Sequence, residues 1–98
     1  MLASKERSNL RRLGNKLAPV LIIGKSGVTD QVEEQLDQAL TARELVKGRV
    51  LPHTQFEVEE VAAELASRTQ AEVVQVIGRN ILFYRASGHD LPEEVDSR

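Results

Sequence analysis

The stretch PVLIIGKSGVTDQV, residues 19–32, contains a strand, a turn and the start of a helix. Residues 20–23 form a short β-branched run that is apolar on both faces, which predicts a buried central strand. The GKSG sequence at 24–27 predicts a tight connection, because glycine tolerates turn conformations. Thr29 is a good N-cap for a helix over residues 30–43, whose early acidic side chains suit the positive end of the helix dipole. The stretch therefore predicts a βα unit.

The segments on either side of this unit predict a helix before it and a strand after it. Leu10, Leu13 and Leu17 recur at helical spacing and predict a first helix over about residues 5–17. Apolar and basic residues alternate over residues 45–51, which predicts a second strand with a basic face. The chain thus begins as αβαβ.

The remaining part of the chain predicts one more helix and a hairpin. Thr54 and Glu57 have the spacing of a capping box for a third helix over about residues 55–68. Two β-branched runs, 73–77 and 81–84, are separated by Gly-Arg-Asn and predict a β-hairpin. Strands joined by helices form parallel crossovers, whereas a hairpin is antiparallel. The order αβαβαββ therefore predicts a single α/β domain with a four-stranded mixed sheet.

Composition limits the classes of protein to which the chain can belong. It has 98 residues, no cysteine and a net charge of −2, with 13 Lys and Arg against 15 Asp and Glu. This length suits one domain, and no apolar run approaches the ~18 residues of a membrane span. The polar N-terminus lacks the apolar segment of a signal peptide, so we expect a cytoplasmic protein without a membrane partner.

The net charge hides a strong asymmetry along the chain. Residues 1–27 hold six basic groups and one acidic group, a charge of +5, whereas the other 71 residues hold seven basic and 14 acidic groups, a charge of −7. A solvated surface is the ordinary explanation of such a charge run. Because the repeated like charges at helical i,i+4 spacing cost stability, we interpret the basic end as a surface for a polyanion.

The sequence offers little for catalysis, and we expect no catalytic residue, metal site, cofactor or small-molecule substrate. Gly24-Lys25-Ser26 resembles the end of a nucleotide-binding phosphate loop, but Pro19 stands where that motif needs its first glycine. His53 and His89 lie outside any metal-binding or catalytic spacing. With three aromatic residues in the chain, we expect any nucleic-acid binding to rest on phosphate and ribose contacts rather than on a stacking platform.

The basic first helix, the PVLIIGKSGVTDQV and LVKGRVL segments and the stretch VEEVAAELASRTQAEVVQVIGRNILFYR together resemble the CRM domain, the chloroplast RNA splicing and ribosome maturation family. The resemblance covers residues 2–86 and leaves residues 87–98 as a flexible acidic tail. It implies an αβαβαββ fold similar to the C-terminal domain of translation initiation factor three. It places the family's GxxG loop on residues 24–27, although the family usually has a third glycine where this chain has Ser26. The candidate RNA-binding residues are Lys5, Arg7, Arg11, Arg12, Lys16, Gly24, Lys25, Ser26, Gly27 and, more weakly, Arg79.

The stand-alone bacterial type of this family implies a non-enzymatic RNA-binding protein. Its expected partner is the ribosomal RNA precursor of the large subunit in pre-ribosomal particles, and its expected role is to assist ribosome assembly. The alternative is a protein-interaction adaptor that recognises ribosomal or regulatory partners through the same dipolar surface. An enzyme ranks third, after the RNA-binding protein and the adaptor.

Overall fold

The computed structural model describes residues 4–52 and 54–86, so the predicted tail at 87–98 lies outside the described residues. The observed order confirms αβαβαββ. No helix within the described ranges is long and apolar enough to cross a membrane. The elements are α1 (Ser4–Gly14), β1 (Leu21–Ile23), α2 (Asp30–Arg43), β2 (Leu45–Val50), α3 (Val58–Thr69), β3 (Glu72–Ile77) and β4 (Asn80–Tyr84).

The four strands form one mixed sheet in the order β1-β2-β4-β3. β1 is parallel to β2, and β4 is antiparallel to both β2 and β3. The prediction that β1 is a buried central strand is wrong, because β4 occupies the other side of β2 and leaves β1 at the edge. Leu21 and Ile23 point into the core, but Ile22 is 49% exposed. A strand that is apolar on both faces therefore presents one apolar face to solvent.

The core lies between one face of the sheet and the pair α2 and α3. Phe83 is fully buried there, while Tyr84 belongs to the opposite face of β4, as the alternation of a strand requires. The predicted N-cap of α2 is confirmed, since the Val32 amide donates to the Thr29 hydroxyl over 3.1 Å. The buried cluster comprises Leu21, Ile23, Leu36, Leu40, Val46, Val50, Val58, Val61, Ala62, Leu65, Ala66, Ile81 and Phe83.

Helix α1 lies on the other face of the sheet and is shorter than predicted. It ends at Gly14, and the amides of Lys16 and Leu17 then close short-range turns instead of continuing the helix. Gly14 is buried so tightly against the Leu82 side chain that a β-carbon there would overlap it. Leu13, a member of the predicted apolar stripe, is 52% exposed. The helix therefore approaches the sheet through its glycine, and its C-terminal leucines are left partly in solvent.

The predicted capping box before α3 is wrong. The N-cap is Glu57, its side chain caps no backbone amide, and the helix begins at Val58 rather than near residue 55. Thr54 instead accepts a hydrogen bond from the Arg79 guanidinium, and Phe56 packs over Gly27. Residues 54–57 are therefore used to cover the turns at this end of the sheet.

Candidate nucleic-acid interface

The two layers of helices that cover the sheet have opposite charge. Helix α1 carries four Lys or Arg and one Glu, a net charge of +3. Helices α2 and α3 together carry seven carboxylates and two arginines, a net charge of −5. The charge asymmetry seen along the sequence thus becomes an asymmetry between the two sides of the sheet. Such a field attracts a polyanion to the α1 side and repels it from the opposite side.

Four of the five basic residues predicted around the first helix have exposed side chains: Lys5, Arg11, Arg12 and Lys16. Lys5 and Arg12 point away from the sheet, because they lie about 180° around the helical wheel from Gly14, whereas Arg11 lies on the flank of α1 and Lys16 follows the end of the helix. The side chain of Arg12 makes a 3.0 Å hydrogen bond to the Asn9 amide oxygen on the same helix. The four exposed side chains, three on α1 and one just after its end, make up what we call the exposed cationic row of α1.

Arg7, the fifth basic residue of the predicted surface, has a different role in the structure. One of its guanidinium nitrogens donates to the Val73 and Val74 carbonyl oxygens over 3.0 and 3.1 Å. Val74 has no register partner in β4, because the pairing shifts between Val73 and Gln75. Arg7 therefore attaches α1 to an irregular edge strand and satisfies its carbonyls.

Two further cations, Lys47 and Arg49, lie on the α1 side of β2. Their register partners are Leu82 and Asn80, while the intervening Gly48 faces the core. Arg49 is exposed and Lys47 is half-buried. The alternation in residues 45–51 predicts this basic face, but the sequence does not show that the face lies beside the first helix, so these two residues are absent from the predicted site.

The predicted GxxG loop, residues 24–27, directly follows β1 at one end of the sheet. The Gly27 amide donates to the Gly24 carbonyl over 3.0 Å, and both Lys25 and Ser26 are exposed. Gly27 has φ +68°, and a β-carbon there would lie 2.7 Å from the Phe56 ring. The second glycine is therefore required by the chain's own packing.

The first glycine of the loop has no such internal requirement. A β-carbon on Gly24 would meet only the end of the Leu51 side chain at 3.9 Å, which is an ordinary contact. Gly24 is therefore the position in the loop where glycine can be replaced with little disturbance of the fold. At this position an added β-carbon would instead contact a nucleic-acid backbone that approaches the loop from solvent.

Arg79 lies in the turn between β3 and β4, at the same end of the sheet as the loop. Its guanidinium donates to the carbonyls of Val50 and Leu51 over 3.0 and 2.8 Å. A third, longer contact of 3.4 Å reaches the Thr54 hydroxyl. These bonds hold the turn between β3 and β4 against the end of β2.

Tyr84 lies at the opposite end of the α1 side, near the start of that helix. Burial raises the pKa of Tyr84 above its ordinary value, and the carboxylates of Glu44 and Glu6 raise this pKa further. Across residues 4–52 and 54–86, no group of three His, Asp or Glu residues is arranged to hold a metal ion. The distinctive chemistry of the α1 side is its exposed positive charge.

Comparison with known proteins identifies the family to which this arrangement belongs. Residues 2–85 match the family described as the CRS1 / YhbY (CRM) domain. The chain belongs to the CRM domain family. This confirms the resemblance on which the sequence interpretation rests.

Relatives of this CRM domain match it over nearly its whole length. "Probable RNA-binding protein YqeI" of Bacillus subtilis is 37% identical, over 89% of this chain and 91% of the relative. "Probable RNA-binding protein PA4753" of Pseudomonas aeruginosa is 30% identical, over 86% of this chain and 81% of the relative. The solution structure of hypothetical protein SAV1595 from Staphylococcus aureus superposes with a TM-score of 0.77 at 39% identity, covering 89% of this chain and 91% of that one. The predicted α/β fold with a mixed four-stranded sheet is thereby confirmed.

Proposed function

We propose that this CRM domain is an RNA-binding protein that uses the α1 side of its sheet. The observation that carries the proposal is the separation of charge, with the exposed cationic row of α1 on one side and the carboxylates of α2 and α3 on the other. Phosphate contacts from Lys and Arg supply most of the sequence-independent affinity for nucleic acids. The names of the two bacterial relatives support the choice of RNA as the polyanion.

We further propose that the RNA is the ribosomal RNA precursor of the large subunit and that binding assists assembly of pre-ribosomal particles in the cytoplasm. The support is the resemblance of the whole chain to the stand-alone bacterial type of the family, which contains a single copy of the domain. In this proposal the protein acts by binding alone. It positions structured RNA on the α1 side and performs no catalysis.

The salt dependence of binding tests the cationic row. If about five phosphates are neutralised, the logarithm of the association constant should fall with log salt at a slope of roughly −3.5 to −4.5. The double variant Arg11→Gln/Arg12→Gln should make this slope shallower by about 1.4–1.8, since two phosphate contacts are lost. Arg68→Gln is the matched control, because it removes an exposed cation from the acidic side.

The measurement is a fluorescence-anisotropy titration of fragments of large-subunit ribosomal RNA at several salt concentrations. An unchanged slope for the double variant, or an equal change for Arg68→Gln, would exclude the α1 side as the binding surface.

The loop is tested separately through Gly24. Gly24→Ala should weaken RNA binding while leaving the unfolding midpoint nearly unchanged, since the added methyl group meets only one side-chain atom of the protein. A folded variant that binds RNA normally would show that the loop serves only as a turn between β1 and α2.

The adaptor alternative is tested in cell extracts. Association with pre-ribosomal particles that survives ribonuclease treatment would favour the protein-interaction adaptor over an RNA-binding protein.

A further inference from the structure

A groove of about 410 Å³ lies between the C-terminal end of α1 and the first half of β2. It forms because the helix ends at Gly14 and the chain then turns back, so that the Val20 amide donates to the Lys47 carbonyl over 2.9 Å. Its volume lies within the roughly 300–1,000 Å³ of ordinary ligand sites. Apolar side chains, among them Leu13, Leu17 and Leu45, line it together with Lys16, Arg43 and Lys47.

The interior of the groove is aliphatic and partly open to solvent. Leu13 is 52% exposed and Val20 is 48% exposed. Single exposed apolar side chains are common on protein surfaces, but several around one concave site indicate a binding surface. Binding of phosphate alone would not require contact with these aliphatic side chains. The groove therefore suits a molecule with an apolar part.

The rim of the groove is positively charged. Lys16, Arg43 and Lys47 line it, and no carboxylate does. The ion pairs that the structure describes elsewhere join Arg7 to β3, Arg68 to α2 and α3, and Arg85 to α2. None of these described ion pairs includes Lys16, Arg43 or Lys47. The rim therefore suits a molecule that also has an anionic part.

We propose that the groove binds an unpaired nucleotide of the RNA, with the base against the aliphatic interior and the flanking phosphates on the three cations of the rim. A nucleotide combines a flat, weakly polar base with a phosphate, which is the combination that this site matches. Lys16 also belongs to the exposed cationic row of α1, so an RNA strand that follows the row reaches the groove. A base held in a duplex cannot enter, which makes bulged or looped nucleotides the preferred ligand.

This inference rests on the proposed RNA-binding function, and its test separates the two. Two hairpin RNAs of equal length and charge are compared, one fully paired and one with a single bulged 2-aminopurine. The protein should bind the bulged RNA roughly tenfold more tightly, the factor expected if base and groove together bury on the order of 60 Å² of apolar surface. The fluorescence of 2-aminopurine and the NMR signals of the Leu13, Leu17 and Leu45 methyl groups should change on binding.

The groove variant is Leu13→Ser, and Ile77→Ser is its matched control. Both replace exposed apolar side chains, and Ile77, which is 55% exposed on β3, lies outside the groove. Leu13→Ser should abolish the preference for the bulged RNA while retaining binding to the paired RNA, and Ile77→Ser should keep the preference.

The results that overturn the inference are equally specific. Equal binding of both RNAs by the unaltered protein, with no change in the methyl signals, would overturn the groove assignment and leave RNA binding intact. Failure to bind either RNA would overturn the proposed function as well. Methyl shifts that depend on protein concentration without RNA would assign the groove to a second copy of the chain. Chemical crosslinks from the groove to residues 87–98 in the RNA-free protein would assign it to the chain's own acidic tail.

Discussion

The contrast between Arg7 and Arg12 provides a direct test of how the structure divides the basic residues of α1. Both are arginines on one short helix, but Arg7 donates to the Val73 and Val74 carbonyls, whereas Arg12 is exposed. We therefore expect Arg7→Gln to lower stability and Arg12→Gln to lower affinity for RNA.

The size of the stability change follows from the bonds that Arg7 makes. A buried hydrogen bond to a charged group contributes about 1.5–3 kcal/mol. The two bonds share one nitrogen and the Arg7 side chain retains 31% exposure, so we expect a combined loss of about 1–2 kcal/mol of unfolding free energy. For a domain of this size, that loss corresponds to a decrease in Tm of roughly 4–16 °C. Arg12→Gln, at an exposed position, should change stability by less than about 0.5 kcal/mol.

The expected change in affinity is the reverse. A lost phosphate contact removes a slope of about 0.7–0.9 in log salt, which amounts to roughly a fourfold to fivefold loss of affinity at 0.15 M salt. Arg12→Gln should show this loss, and Arg7→Gln should bind nearly as well as the unaltered protein at a temperature where both are folded. Urea unfolding followed by circular dichroism, together with RNA titration at 10 °C, measures both quantities. An Arg7→Gln variant with unchanged stability and an affinity as low as that of Arg12→Gln would refute the assignment of Arg7 to the attachment of α1.

Three further predictions concern packing and pH. Gly27→Ala should cost about 1–3 kcal/mol of unfolding free energy, because it combines a positive φ with displacement of the Phe56 ring. Gly78→Ala shares the positive φ but meets no atom within 4 Å, so a loss in urea unfolding as large as that of Gly27→Ala would contradict the ring contact. Gly14→Ala should cost about 1–3 kcal/mol by overpacking the buried leucine that it faces in β4, and an unchanged Tm would show that this leucine moves freely. The pKa of Tyr84 is raised in the folded state, so its neutral phenol contributes stability that is fully present below the ordinary pKa of about 10. This stability should be lost as the pH rises through the pKa of the folded state. Tyr84→Phe should remove this part of the alkaline loss, as measured by urea unfolding at several pH values. The same loss of unfolding free energy at alkaline pH in the unaltered protein and in Tyr84→Phe would contradict this prediction.

The local signals of the sequence were sufficient for the elements and their order. The periodicity of α2 and the Thr29 cap predicted a helix with the observed bounds, and the alternation in β2 predicted its basic face. Helical and strand periods are properties of adjacent residues, so a single sequence contains them. The same holds for the charge difference between the basic N-terminal part and the remainder of the chain.

The local signals failed where two possible partners compete for the same residues. Thr54 and Glu57 have the spacing of a capping box, but the Arg79 guanidinium donates a hydrogen bond to the Thr54 hydroxyl and α3 begins only at Val58. Leucine spacing extended the first helix to residue 17, whereas the close packing of Gly14 on the sheet accompanies its end at residue 14. In both cases the deciding contact comes from a strand or turn far away in the chain.

The sequence by itself determined the α/β class, the order of the elements and the presence of a basic end. Only the tertiary structure decided which basic side chains are available to a ligand. The contact from Arg7 to Val73 spans 66 residues, and the position of Lys47 beside Lys16 depends on where α1 crosses the sheet. The edge position of β1 likewise follows from the strand order, because β4 pairs with the side of β2 that faces away from β1. Such pairings are set by the burial of whole faces against one another, and no single segment contains the residues on both sides of the contact.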